Sequence, residues 1–317
     1  MNWLIYSTGM NNYDNQLWVA HALSDEIYQI ISKNPKGCVH SIFNNSFNLS
    51  FGNHLVHIGG VENGMAPFGI ALNEKHAQLL TRQITANQTV FWDESSNRLV
   101  FTDEISLTLT QAVSMNHAIK SKMYNLHNLK NNVQVVANRL LQNDWRIGLA
   151  ETKEDQATII HYLINSDFAN ANKDNVMIQQ LDTLRKLASG HESINAKTVF
   201  DYWIGRGLGL TPSGDDIITG ICAVLSSFEG TNKVFLEQLK QYLLEYGRKR
   251  TTHVAFEYLI YAVERKFHSH LIQMCDVIDQ SEGPKISHAL EEMKQIGHTS
   301  GADTLAGILL GIKAAVN

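Results

Sequence analysis

Gly205-Arg206-Gly207-Leu208-Gly209-Leu210-Thr211-Pro212-Ser213-Gly214-Asp215-Asp216-Ile217-Ile218-Thr219-Gly220 joins a glycine-rich loop to an apolar segment. Beyond Asp216, Ile217, Ile221, Val224, Leu225 and Phe228 recur at helical spacing, which predicts a buried helix starting beside the two carboxylates. Glycines let backbone approach a ligand closely, and the unpaired amides of a helix start favour an anion. Asp215 and Asp216 already occupy that positive end. They therefore complement the helix, bind a cation or move a proton beside an anion.

The stretch has an echo at a constant offset of 87 residues. Ser300-Gly301-Ala302-Asp303-Thr304-Leu305-Ala306-Gly307-Ile308 repeats Ser213, Gly214, Asp216, Gly220 and Ile221, and Leu305, Ile308, Leu309 and Ile312 form a second apolar stripe. A glycine within a helix costs about 1 kcal/mol relative to alanine, so Gly220 and Gly307 predict a close helix crossing. Two Ser-Gly-x-Asp turns are thus expected to face each other. Ser and Asp are also the preferred N-caps, but capping accounts neither for the clustered glycines nor for the duplicated one.

The chain has 317 residues, 44% hydrophobic and 18% charged, enough for two cores or one large one. A formal charge of −5 gives no basic footprint for nucleic acid. Cys38, Cys222 and Cys275 are isolated in apolar surroundings, which suits buried thiols in a reducing compartment. Trp3-Leu4-Ile5-Tyr6 has no basic flank or long apolar run. The expectation is a cytoplasmic protein without signal peptide or membrane span.

The predicted fold class is α+β, with a small β-barrel or sandwich-like domain at 1–110 and a larger all-α domain at 111–317. Leu17, Ala20, Leu23, Ile27 and Ile30 predict a helix over Asn15–Lys33, ended by Asn34-Pro35-Lys36-Gly37. Strands are expected at 38–43, 47–51, 54–58, 68–72, 89–92 and 99–102, with a hairpin turn at Asn97 and a helical excursion over 75–85. Helices are expected at 113–130, 133–141, 152–164, 176–187, 217–228, 234–246, 254–267, 271–278, 286–296 and 305–316. No low-complexity linker separates the halves, so a boundary near Gln111 with a tight interface is expected.

Arg248-Lys249-Arg250-Thr251-Thr252-His253 follows Gly247, read as a helix end. Basic residues suit the negative end of one helix and Thr the start of the next, so an architectural reading is sufficient by itself. Beside two acidic turns, Arg250 and Arg206 also offer forks for an anionic substrate. No Gly-Lys-Ser/Thr ending, dinucleotide spacing, HExxH, paired CxxC or Gly-x-Ser-x-Gly is present. His40, His54, His57 and His161 are placed on element surfaces without a role.

GLGLTPSGDDIITG, RTTHVAFEYLIYA and GHTSGADTLAGILLGI together resemble the AllH-like family, associated with oxamate carbamoyltransferase. Val39-His40-Ser41-Ile42-Phe43 and Ala66-Pro67-Phe68-Gly69-Ile70 extend the resemblance into the β-rich half. It implies a subunit working with other subunits in allantoin degradation. There, oxalurate and phosphate give oxamate and carbamoyl phosphate for a carbamate kinase. On that reading Asp215, Asp216, Asp303 and His253 are the catalytic candidates. Arg206, Gly209, Thr211, Ser213, Gly214, Arg250, Thr251, Thr252, Ser300 and Gly301 are the candidates for holding phosphate, carbamoyl phosphate, oxalurate or oxamate. The backbone from Thr211 to Gly214 is expected to cradle the anion, with Arg206 or Arg250 neutralising it. Asp216 and Asp303 then act as acid and base or bind a divalent cation, and His253 supplies a proton near neutral pH. The Ser-x-Arg-Thr-Arg phosphate motif of ordinary carbamoyltransferases is absent. No cofactor is fixed, but the aspartates admit Mg2+ or Mn2+. Two alternatives remain open: a structural or regulatory subunit, and a metal-dependent hydrolase, since Ser300-Gly301-Ala302-Asp303-Thr304 is similar to the C-terminal aspartate turn of ADP-ribosylglycohydrolases.

Overall fold

A computed structural model describes residues 16–142, 144–165, 174–281 and 283–316. The readings for Trp3 to Tyr6 and for the first residue of the expected N-terminal helix lie outside them. The described chain divides into two compact units, one made of the chain to Val61 with Gly69–Ser114, the other of Glu62–Phe68 with Met115–Asn317.

The first unit is the expected β-rich, barrel-like domain, built on one ten-stranded sheet. Its strands are β1 (Gln16–Val19), β2 (Ala22–Ser24), β3 (Lys36–Ile42), β4 (Phe47–Phe51), β5 (His54–Gly60), β6 (Gly69–Leu72), β7 (Thr89–Asp93), β8 (Arg98–Val100), β9 (Ile105–Thr108) and β10 (Val113–Met115). They run in the order β1-β9-β8-β7-β3-β4-β5-β6-β2-β10, curled into a half-barrel. Central pairs are antiparallel, as Phe47 opposite Ile58 and Phe51 opposite His54, whereas β5–β6 and β1–β9 are parallel. Asn97 takes φ 55° before β8, the left-handed geometry expected of the β7–β8 hairpin.

The expected N-terminal helix is corrected by this sheet. Gln16 to Val19 pairs in parallel with Ile105 to Thr108, and Ala22 and Leu23 pair with Ala71 and Ile70. Only α1 (Ile27–Lys33) is helical, burying Ile27, Ile30 and Ile31. Ladder pairing along two strands thus overrides a spacing that suits a helix locally. The helical excursion is α2 (Glu74–Thr81), started by the Asn73 side chain, which accepts from the Lys75 amide at 3.1 Å.

The second unit contains α3 (Leu126–Leu140), α4 (Lys153–Ile164), α5 (Val176–Ala188), α6 (Ala196–Trp203), α7 (Ser213–Ser227), α8 (Val234–Tyr242), α9 (His253–Val263), α10 (Ser269–Val277), α11 (Pro284–Lys294) and α12 (Ser300–Val316). Side chains of Asn125, Thr152, Asn175, Asn195 and Thr252 cap five of their starts. The helix expected over 113–130 begins only at Leu126, because β10 takes 113–115 and the following chain makes bridges at Ala118–Lys266 and Lys122–Phe228. Helix α6 was not expected. Gly247 does not end α8: a π-turn over Leu243–Gly247 carries helical backbone on to Arg250.

At the centre lie α7 and α12, buried along almost their whole length. A Cβ added to Gly220 would stand 2.2 Å from the Thr304 carbonyl oxygen, and one added to Gly307 would stand 2.1 Å from that of Ile217. The contact is reciprocal: Thr304 and Gly307 follow Ile217 and Gly220 by the same 87 residues. The expected close crossing is therefore present and has local two-fold symmetry. Thr231, Lys233 and Arg265 donate to carbonyls at the C-terminal end of α7, so cations and a hydroxyl complement its negative pole.

Candidate functional site

The crossing brings the two helix starts together. Pro212 occupies the N-cap of α7 without a side-chain bond, so neither Ser213 nor the aspartates serve as that cap. Instead the side chains reach across the pair. The Ser300 hydroxyl lies beside Asp216 and within 2.7 Å of the Thr211 hydroxyl, while the Ser213 and Thr299 hydroxyls lie beside Asp303. Each serine thus serves the aspartate of the other repeat. Gly214 and Gly301 seat the two helix starts, since a Cβ on either would meet the carbonyl of Trp203 or Met293 within about 2.1 Å.

Asp303 is fully buried and accepts the Gly148 amide at 2.9 Å on Oδ1. Its Oδ2, like Oδ2 of Asp216, completes no hydrogen bond among the described residues. Burial raises Asp303 to about 6, against the pull of Gly148, Ser213 and Thr299. Burial raises Asp216 well above the usual carboxylate range, and the neighbouring charge of Asp303 adds to the effect. Burial and mutual repulsion thus raise both carboxyls, Asp216 the more strongly.

Asp215 points elsewhere. Its Oδ1 accepts the Gly205 amide at 3.0 Å and its Oδ2 accepts the Thr251 hydroxyl, so it ties the glycine loop to the turn before α9. Burial still raises it to about 6. Thr252 caps α9 and donates to the Leu210 carbonyl, a second tie across the same loop. Between these ties Gly207 and Gly209 take φ 121° and 93°, and Leu208 stands 93% exposed.

The cations expected at an anion site are turned to α6. The Arg206 guanidinium lies 4.1 Å from the Tyr202 ring centre, and Arg250 donates to the Asp201 carbonyl. Neither contributes to the shifts of Asp215 or Asp303. The Gly214 amide donates to the Arg206 carbonyl at 2.8 Å, which removes one donor from the expected Thr211–Gly214 cradle. His253 opens α9, directly after the Thr252 cap.

Gly148, Thr299 and Tyr258 were not anticipated. Thr299 adjoins Ser300 as Thr211 nearly adjoins Ser213, a signal open to a closer reading of the echo. Gly148 comes from the loop before α4 and carries no sequence mark. The Ser213 hydroxyl, Asp303 Oδ2 and the Thr299 hydroxyl lie 2.2, 3.0 and 3.0 Å from where its Cβ would stand. Tyr258 on α9 feels the charge of Asp216, and burial pushes its phenol up. The Phe68 ring packs edge-on against it with centres 4.9 Å apart.

Among the described residues, no three His, Cys, Asp or Glu side chains converge as metal ligands. The donor set at the pair is two carboxylates with hydroxyls, oxygen chemistry that suits Mg2+ or Mn2+ only if water completes the shell.

The model of the oxamate carbamoyltransferase subunit AllH matches residues 203–312, and that of the AllH family N-terminal domain matches 19–116. The chain belongs to the AllH family. The first match contains both helix starts and their crossing, and the second nearly all of the sheet. The AllH family is that of a subunit of a multi-protein enzyme. No solved structure matches the chain. No helix among the described residues is long and apolar enough to cross a membrane.

Proposed function

We propose that this AllH-family chain supplies a proton-transfer site to a carbamoyltransferase assembly, and that the crossed carboxyl pair Asp216–Asp303 is that site. The observation supporting this reading is two buried carboxyls raised to different extents, each with one oxygen that completes no hydrogen bond among the described residues. Transfer from oxalurate to phosphate makes a C–O bond and breaks a C–N bond. A phosphate hydroxyl must lose a proton and the leaving nitrogen of oxamate must gain one. Ionised Asp303 accepts the first and neutral Asp216 donates the second, so the pair ends with its proton on the other member and resets by exchange. Asp215, Thr251 and Thr252 hold the loop above it. Arg206 and Arg250 meet an anion only after leaving Tyr202 and Asp201.

Asp216→Asn in the reconstituted assembly is expected to retain subunit binding and lower turnover at least about a hundredfold, the scale of lost acid–base catalysis. Unchanged turnover assigns the chain a structural or regulatory part and removes the pair from the chemistry. The unpaired oxygens also favour a second reading, in which the pair holds Mg2+ or Mn2+ for a hydrolytic reaction. Either ion then raises the melting temperature of the isolated chain, and Asp303→Asn abolishes the rise.

A further inference from the structure

We propose that a different subunit of the assembly, presenting an apolar socket rimmed by carboxylates, docks on the exposed face made by Arg206, Leu208 and Leu210 with Arg248, Lys249 and Arg250. The proposal rests on the family's place in a multi-subunit enzyme and on no step of proton transfer. All six side chains are exposed, and Leu208, at 93%, is the most exposed large apolar side chain among the described residues.

Two segments distant in the chain are tied into this one face. A Cβ on Gly205 would meet the Arg250 carbonyl, Thr252 donates to the Leu210 carbonyl, and the Asp215 carboxylate accepts from both Gly205 and Thr251. Gly207 lies so close to α7 that a Cβ there would stand 2.6 Å from the Ser213 amide nitrogen. Three glycines of positive φ, at 205, 207 and 209, and a buried carboxyl thus hold the loop in one shape. Its tip carries a leucine into water. A single surface leucine needs no such frame, whereas a preorganised one loses little freedom when a partner covers it.

Charge selects the occupant. Arg206, Arg248, Lys249 and Arg250 are offset by Glu245, while Asp201 is already matched by Lys197 at 2.6 Å. An excess of three positive charges therefore surrounds the leucines, in a chain of net charge −5. A second copy meeting this face across a two-fold axis would set those cations against their own kind, which disfavours a homodimer here. A different chain with carboxylates around an apolar pocket is the complement, and Arg is enriched at such contacts. Leu208 follows Gly207, whose neighbour Ser213 serves Asp303, so the partner arrives beside the acid pair.

The test measures, by calorimetry, the dissociation constant between the full-length chain and the other subunits of the reconstituted assembly. Leu208→Asp is expected to weaken binding about thirtyfold, the loss of one covered leucine, with an unchanged melting temperature. Lys249→Glu is expected to weaken it about tenfold in dilute buffer and to match the parent at about 0.5 M salt, where rim charges are screened. Val176→Asp, an exposed change at the start of α5, should bind as the parent does. Parental binding by Leu208→Asp overturns the proposal, as does turnover lost by that variant with binding intact, which makes the loop a lid on substrate. A dimer of the chain alone that Leu208→Asp dissolves overturns the choice of a different subunit. Sedimentation with phosphatidylserine vesicles that depends on Leu208 overturns a protein partner. Asp216→Asn is expected to bind as the parent does, so a failure of the proton-transfer reading appears in turnover and leaves these constants unmoved.

Discussion

Asp303 gives the molecule a pH dependence of definite sign. Below the unfolded value of 3.8 its carboxyl is protonated in both states, and the folded chain has the full benefit of burying it neutral. Between 3.8 and about 6 only the unfolded chain ionises, so rising pH erodes stability, and the erosion is complete above about 6. The loss is about 3 kcal/mol at neutral pH by linkage. Asp303→Asn is therefore expected to melt together with the parent near pH 4 and about 3 °C or more above it near pH 7.5, as calorimetry at the two pH values will show. With Asp303 as the proposed base, kcat/KM of the assembly is expected to rise through about pH 6, and a pH profile without that rise removes Asp303 from that role. Gly148→Ala provides the steric counterpart, because its Cβ would stand 2.2 Å from the Ser213 hydroxyl and 3.0 Å from Asp303. It should lower turnover by displacing those oxygens while the sheet unit melts as before. Of these residues, Asp216, Asp303, Ser213 and Ser300 were readable from the echo alone. Gly148 and Tyr258 were not, since a residue brought in from another element leaves no trace in the spacing of the motif it serves.

The crossing of α7 and α12 fixes the site because each helix uses the other's backbone as its packing surface. A methyl group on Gly220 or Gly307 meets a carbonyl that is part of a helix and cannot rotate away. Gly220→Ala and Gly307→Ala are each expected to cost about 3 kcal/mol, the upper range for overpacking, read from urea midpoints of the helical unit. Local symmetry predicts similar losses at the two positions, so a neutral Gly307→Ala would refute the reciprocal contact. Gly209→Ala meets nothing within 4 Å and is strained only by its φ of 93°, for a cost of about 1–2 kcal/mol. The duplicated glycine in the sequence therefore points to the crossing. The same periodicity misled at Gln16–Ser24, where Leu17, Ala20 and Leu23 sit at helical intervals yet pair with β9 and β6. Helical spacing over so few residues coincides with two short strands, and only the distant partner decides between them.

The whole molecule is less separable than its sequence order suggests, because Glu62–Phe68, between two strands, belongs to the helical unit. Within that unit Met65 exchanges hydrogen bonds with Ser269 at 2.9 and 3.0 Å, Gly64 lies against the His268 and His270 rings, and Phe68 packs on Tyr258 and Tyr261. A division near Gln111 follows from the change in pattern along the chain, but a seven-residue excursion within the β-rich half has no periodicity to announce it. Phe68 and Ala66 are almost fully buried and Met65 nearly so, and an apolar side chain of that size contributes about 1.5–3 kcal/mol when removed from water. Residues 115–317 expressed alone should therefore be several kcal/mol less stable than the same unit in the full chain, with Tyr258 and Tyr261 uncovered and extra binding of a hydrophobic dye. Phe68→Ala in the full chain should reproduce part of that loss and shift the pH profile of the Asp216–Asp303 pair through Tyr258, whereas Leu79→Ala, an exposed change on α2, should do neither. A fragment as stable as the intact unit, or a Phe68→Ala profile identical to the parent, would show that the excursion neither completes the helical core nor supports the acid pair.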